Sequence, residues 1–266
     1  MIAAIEGARI GYDESGEGLP IVMLHGFPHD RTLWAAQRMA LAARARCLTP
    51  DLRGFGDSST HGPFSMDQYA DDVVALLDAL GIPQAVVCGL SMGGYVALAL
   101  WRRHPARVRA MILCDTRAEA DSPEARSRRE AQIALVRAQG TAALVEPLLT
   151  GMVGSETRAQ RPEVLTALRT MMGRQSAAGV IGALQALRDR PDSRPTLGTI
   201  TVPVLVVVGD QDVLTPIADA RRMAEALPPA ARVRLEVIAG AGHVPCVERP
   251  AAVTHALGDF LGTLAP

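Results

Sequence analysis

VVCGLSMGGYVAL, residues 86–98, runs from an apolar β-branched segment through a cluster of glycines into a helical pattern, with one serine at the join. Its centre, Gly89 to Gly93, reads G-x-S-x-G. A strand that turns this sharply into a helix holds the central residue in strained backbone, and only small residues two positions away avoid colliding with it. Gly89, Gly93 and Gly94 meet that demand, which presents Ser91 at the strand end as a candidate nucleophile. A serine hydroxyl attacks only with a base in reach, a third group to orient that base, and donors for the oxyanion it creates. The rest of the chain has to supply them.

Outward from the serine, LPIVMLHG (19–26), ARCLTPD (45–51), QAVVCGL (84–90), VRAMILCD (108–115), VPVLVVVGD (202–210) and VRLEVIAG (233–240) read as buried strands. Helical segments lie between most of them. The stretch 65–80, for instance, places Met66, Tyr69, Val73, Leu76, Leu77 and Leu80 on one face. Such alternation defines an α/β protein with a mostly parallel sheet covered on both faces. ARIGYDES (8–15) has no helix after it and reads as an antiparallel edge hairpin. From about 117 to 190 only helical patterns occur, divided by Pro123, Gly140, Gly151, Gly154 and Pro162. So many helices exceed one ordinary crossover. They predict a helical lid insertion at residues 117–191 over one end of the sheet, with 1–116 and 192–266 forming the core. The stretch RPDSRPTLGTI (190–200) reads as the return linker. At 266 residues and 48% hydrophobic, one domain with one large core is expected.

The base and its acid should follow the serine in chain order, acid first. VPVLVVVGDQDVLTP offers Asp210 and Asp212 after one strand, and IAGAGHVPCVERP offers His243 after the next. Loops at the carboxyl ends of parallel strands bring such residues toward Ser91. His61, His104 and His255 read as surface or capping residues, with His104-Pro105 ending a helix. For the oxyanion, a backbone N–H in LHGFPHD, that of Phe27, would join the N–H of Met92 at a helix N-terminus. His25 and His29 stand four apart, yet Pro28 forbids a shared helix face and no third ligand is spaced nearby, so no metal is expected.

A formal net charge of −1 with no block of like charges gives no footprint for nucleic acid or a membrane surface. All 27 basic residues are Arg, and Lys and Asn are absent, which excludes a Schiff-base lysine and N-glycosylation. Cys47, Cys88, Cys114 and Cys246 form no C-x-x-C pair and read as buried free thiols. The first residues have no basic and apolar leader pattern, and no apolar run reaches about 18 residues. A cytoplasmic protein, monomer or homodimer, is the expectation.

HGFP, DLRGFGDS (51–58), GLSMGG, GDQDVLTP and GAGHVPCVERP, in this order and across nearly the whole chain, resemble the serine hydrolases of the α/β-hydrolase fold. The resemblance implies an eight-stranded, mostly parallel sheet and a catalytic set of Ser91, Asp212 and His243. It favours Asp212 over Asp210, and it keeps Asp115 as the alternative, since a minority of such enzymes place the acid after that earlier strand. It also gives Asp51 and Arg53 a structural role, tying loops beneath the site. Dehalogenases and epoxide hydrolases of this fold carry aspartate at the elbow, so Ser91 points instead to acyl transfer on a small carboxylic ester or lactone, with no cofactor. The region from Met111 onward is similar to 3-oxoadipate enol-lactonases, but LLTGMVG stands where those enzymes carry an aromatic lid motif. Asn is usual in meta-cleavage C–C hydrolases where Leu90 stands, and no acidic amine-recognition residues of a proline iminopeptidase are evident. Phe27, Leu148 and Met152 are the candidate substrate contacts, although an amphipathic lid helix must also pack its apolar stripe on something. A cofactor-free perhydrolase or a non-hydrolytic ligand-binding protein on the same scaffold is the alternative from another class.

Overall fold

The structure, a computed structural model, describes residues 1–264. Eight strands form one sheet: β1 (Ile2–Ile5), β2 (Ala8–Ser15), β3 (Leu19–Leu24), β4 (Ala45–Pro50), β5 (Ala85–Leu90), β6 (Val108–Cys114), β7 (Val204–Gly209) and β8 (Arg234–Ile238). Their order is β1-β2-β4-β3-β5-β6-β7-β8. The β1–β2 and β2–β4 pairs are antiparallel and every later pair is parallel. The six strands expected as buried match these within two residues at each end, and 8–15 is an edge hairpin strand with β1 as its partner. Strand β5 sits centrally and is buried at every position, which explains why it reads as an unbroken apolar run.

Twelve α-helices occur among the described residues: α1 (Ala35–Leu41), α2 (Met66–Ala79), α3 (Met92–Arg103), α4 (Pro123–Gln139), α5 (Ala142–Met152), α6 (Ser155–Gln160), α7 (Pro162–Gly173), α8 (Ala177–Asp189), α9 (Arg194–Leu197), α10 (Ile217–Ala226), α11 (Pro245–Glu248) and α12 (Pro250–Gly262). Their starts are chemically marked. Ser65, Ser122 and Ser176 each accept a hydrogen bond from a first-turn N–H, at α2, α4 and α8. Alternate strand residues face opposite layers: Val22 and Leu24 join α2, α3 and α10, whereas Ile21 and Met23 join α1 and α12. Each fully buried Val, Leu or Ile contributes about 1.5–3 kcal/mol, so two such layers anchor the central strand ends firmly.

The chain between β6 and β7 contains α4 to α9 and no strand. The return stretch 190–200, expected as a linker, contains the short α9. Helix α4 buries only Ile133 and Val136 among its 17 residues, so it lies on the molecule rather than in it. Helices α5 and α7 instead sink Leu149, Met152, Leu168 and Met172 into the second layer.

Candidate active site

Ser91 occupies a turn one residue long between β5 and α3, at φ 52° and ψ −110°. A non-glycine residue there is strained, and the surroundings hold it in place. Its N–H donates to the Cys114 carbonyl (2.9 Å), and its own carbonyl accepts from Gly94 N and the Thr116 hydroxyl (both 2.9 Å). A Cβ on Gly89 would strike the Gly93 carbonyl, and one on Gly93 would strike the Leu24 carbonyl, so the flanking glycines are a packing requirement.

Asp212 follows β7 and is buried. Its Oδ1 accepts from the N–H groups of Leu214 (2.8 Å) and Thr215 (3.0 Å), and its Oδ2 takes the Thr215 hydroxyl and lies 2.8 Å from Nδ1 of His243. Burial opposes the charge, but the His243 imidazole and these donors outweigh it and hold the carboxyl at about 2. An ionised acid against Nδ1 places the proton on that nitrogen and leaves Nε2 with its lone pair. The His243 backbone is fixed separately: its N–H donates to the Met152 carbonyl of α5 (2.8 Å). Glu248, fully buried, accepts from Gly242 N and Gly154 N (both 2.7 Å) and ties the same two loops together.

The other candidates divide. Asp210 is exposed and accepts from Gly240 N (2.8 Å), linking the loops after β7 and β8. Asp115, 1% exposed and at φ 43°, accepts from Gly209 N (2.8 Å). Polar atoms of Asp115, Asp212 and His243 all lie within 4.8 Å of one another, the one such group with metal-ligand composition among the described residues. Nδ1 of His243 is engaged by Asp212 and Thr215, as in an oriented imidazole rather than a coordinated one. Burial first, and then the Asp212 charge, push the Asp115 carboxyl well above the usual range.

Beneath the site, His25 Nε2 accepts from Leu52 N (3.0 Å), so Nδ1 carries the hydrogen shared with the Gly26 carbonyl (2.9 Å). His29 is buried, with neither ring nitrogen bonded among the described residues. Burial and the neighbouring His25 and His243 lower it to about 3, so it is a neutral imidazole. Asp51 accepts from Arg31 N and Asp57 N (both 2.8 Å), and Arg53 pairs with buried Asp72 and donates to the His61 carbonyl. Both tie loops below the serine.

Ser91, His243, Phe27, Leu148 and Met152 line one cavity of about 300 Å³, at the lower end of small-molecule sites. Met92 is fully buried at the first position of α3, where helix geometry leaves its N–H without an intrahelical acceptor. Sequence reasoning misses Thr215 and four arginines on the cavity wall. Thr215 has a local signal, an aspartate three residues earlier positioned to accept its N–H. The arginines have none, because which side chains of the helices and loops between β6 and β7 reach the cavity is not written in local periodicity.

Residues 20–250 match the family described as alpha/beta hydrolase fold. Among curated proteins, 3-oxoadipate enol-lactonase 2 of Acinetobacter baylyi is 35% identical over 227 residues, 85% of this chain and 82% of that protein. Among solved structures, a thermophilic esterase from Thermogutta terrifontis, with malate bound, superposes with a TM-score of 0.94 at 38% identity, covering 97% of this chain and 95% of that one. The enol-lactonase of Burkholderia xenovorans gives 0.90 at 32% identity, covering 98% and 100%.

Proposed function

The chain belongs to the α/β-hydrolase fold family, and from that premise we propose that its ester or lactone hydrolysis runs through an acyl-enzyme on Ser91. The protein is a carboxylic ester or lactone hydrolase acting on a small molecule. The observation that carries the catalytic assignment is the Asp212–His243 contact of 2.8 Å, with Ser91 and His243 lining one cavity. In this reading His243 takes the Ser91 proton as Oγ attacks the carbonyl, and the N–H groups of Phe27 and Met92 receive the oxyanion. The tetrahedral adduct collapses, His243 protonates the departing alcohol, and water attacks the acyl group with His243 again as base. Asp212 stays ionised throughout and stabilises the imidazolium. Residues 117–191 act as the lid, with Leu148 and Met152 against the acyl group, and the four free buried cysteines suit a reducing cytoplasm.

No helix among the described residues is long and apolar enough to cross a membrane. The test is p-nitrophenol release from p-nitrophenyl butyrate by the wild type and by Ser91→Ala. A loss of kcat of at least about 10⁴-fold in a variant that keeps its fold is expected. Substantial turnover in that variant would remove Ser91 from the mechanism.

A further inference from the structure

The insertion between β6 and β7 meets the loop leaving β3 at a place away from the cavity. Residues 174–176, the loop between α7 and α8, contact Asp30, which stands three residues after Phe27. Asp30 is 1% exposed, and its carboxylate collects donors from both segments. From its own loop, the Thr32 N–H (3.0 Å) and hydroxyl (2.6 Å) donate to Oδ1. From the α7–α8 loop, Nη2 of Arg174 donates to Oδ1 and Nε of Arg174 to Oδ2 (both 2.7 Å), a bidentate fork, and Nε2 of Gln175 donates to Oδ2 (2.8 Å). Burial opposes the Asp30 charge, yet the Thr32 and Arg174 donors outweigh it and hold the carboxyl below the usual range.

Gln175, itself buried, reaches further. Its amide oxygen accepts from Gly56 N (3.0 Å), and the Ser176 hydroxyl donates to the Gly54 carbonyl (3.3 Å). A Cβ on Gly179 would strike that same carbonyl, so the start of α8 lies directly against the loop after β4. Between Gly54 and Gly56 stands Phe55, whose ring packs edge-to-face on His25 and Phe27, at 5.1 and 6.3 Å between centroids. The segment carrying Phe27 is thus pinned near β3 by His25, and at its far end and flank by residues 174–176. We propose that Arg174 and Gln175 are positioning residues for the oxyanion, fixing through Asp30 and Phe55 the loop whose Phe27 N–H receives the charge. The proposal rests on the hydrolase reading and adds to it a function for the α7–α8 loop other than covering the cavity. A donor aimed at developing charge has to be held to within about 0.5 Å, so loosening its support costs turnover rather than substrate binding.

The test is steady-state kinetics on p-nitrophenyl butyrate together with inhibition by propyl trifluoromethyl ketone, whose adduct with a serine hydroxyl carries the same oxyanion. Arg174→Met removes the fork and Gln175→Met the amide bonds. Each should lower kcat about tenfold, keep KM within about twofold, and weaken ketone inhibition by the same factor as kcat/KM. Arg174→Lys, which keeps the charge without the fork, should fall between wild type and Arg174→Met. It also decides the matter if the methionine variants do not fold: a loss of kcat matched by weaker ketone inhibition supports the role, and wild-type values overturn it. Ketone inhibition at wild-type strength in the folded variants, whatever the change in kcat or KM, would overturn the positioning role and leave the hydrolase intact. If the wild type neither turns over the ester nor binds the ketone, the hydrolase reading falls and the positioning role falls with it.

Discussion

The loops after β5, β7 and β8 and the helices between β6 and β7 meet at one cavity but are held by different physics. Each loop residue of the proposed triad is fixed by several named bonds: Ser91 through Cys114 and Thr116, Asp212 through Leu214 and Thr215, His243 through Met152 and Asp212. The helices are held by apolar stripes, and α4 has only two buried residues to hold it. Hydrogen bonds to fixed backbone set position to a few tenths of an ångström, whereas a packed stripe tolerates sliding and substitution. On the proposed reading, reaction chemistry belongs to the loops and substrate choice to the helices.

The largest effect that can break this comparison is on the loop side. Asp212→Asn is expected to lower kcat on p-nitrophenyl butyrate by about 10³- to 10⁴-fold, because an amide opposite Nδ1 favours the wrong tautomer of His243. A loss below tenfold would mean that His243 is oriented by its backbone and Thr215, and that the bonded loop is less decisive than its geometry implies. The same carboxyl has a stability signature. Its folded value of about 2 lies below the ordinary 3.8. The stabilisation of about 2 kcal/mol is thus present above pH ~4 and fades as the pH falls toward 2. Urea unfolding across that window should lose this slope in Asp212→Asn.

The two regions are also unequally legible in the amino-acid sequence. Strand runs and helical periodicity are local signals, so β3 to β8 and the start of α2 emerge from the sequence to within two residues. The elbow is local too, since G-x-S-x-G carries its own steric reason. Glu248 is hidden, because a glutamate in CVERP looks like a surface residue and only the fold shows it bonded to Gly242 and Gly154. Arg128 and Arg129 are hidden for a related reason. The run ARSRRE reads as a solvated helix face, and which part of that face overhangs Ser91 depends on how α4 lies against α8 and α5.

Met152→Ala sharpens the helix side. Its side chain lines the cavity yet is 2% exposed and belongs to the second apolar layer, and its carbonyl accepts the His243 N–H. Since the backbone bond survives the substitution, the expected cost is stability, about 2–4 kcal/mol from the cavity left behind, with kcat on the butyrate ester within a few-fold. Denaturant melts beside an acyl-length series check this. Unchanged stability with a shifted chain-length preference would instead make Met152 a substrate contact before a packing residue, and move part of α5 to the recognition surface.

The smallest activity change should come from the residue that most resembles Asp212. Asp115 ends the neighbouring strand β6, and burial first, then the Asp212 charge beside it, push its carboxyl well above the usual range. The carboxylate 2.8 Å from Nδ1 of His243 is that of Asp212, and Asp115 makes no hydrogen bond to the imidazole among the described residues, so Asp115→Asn should keep kcat within about threefold. Asn tolerates the positive φ of that position and keeps an acceptor for Gly209 N. The sign of its pH effect is opposite to that of Asp212. With a folded value above the ordinary 3.8, the native state binds more protons than the unfolded chain from about pH 4 upward, so this group erodes stability as the pH rises. Asn carries no such proton. The variant should therefore show a flatter stability profile above about pH 4. A fall in kcat as large as that of Asp212→Asn would show instead that a negative charge at position 115 orients His243, and would move the acid of the triad from the β7 loop to the end of β6.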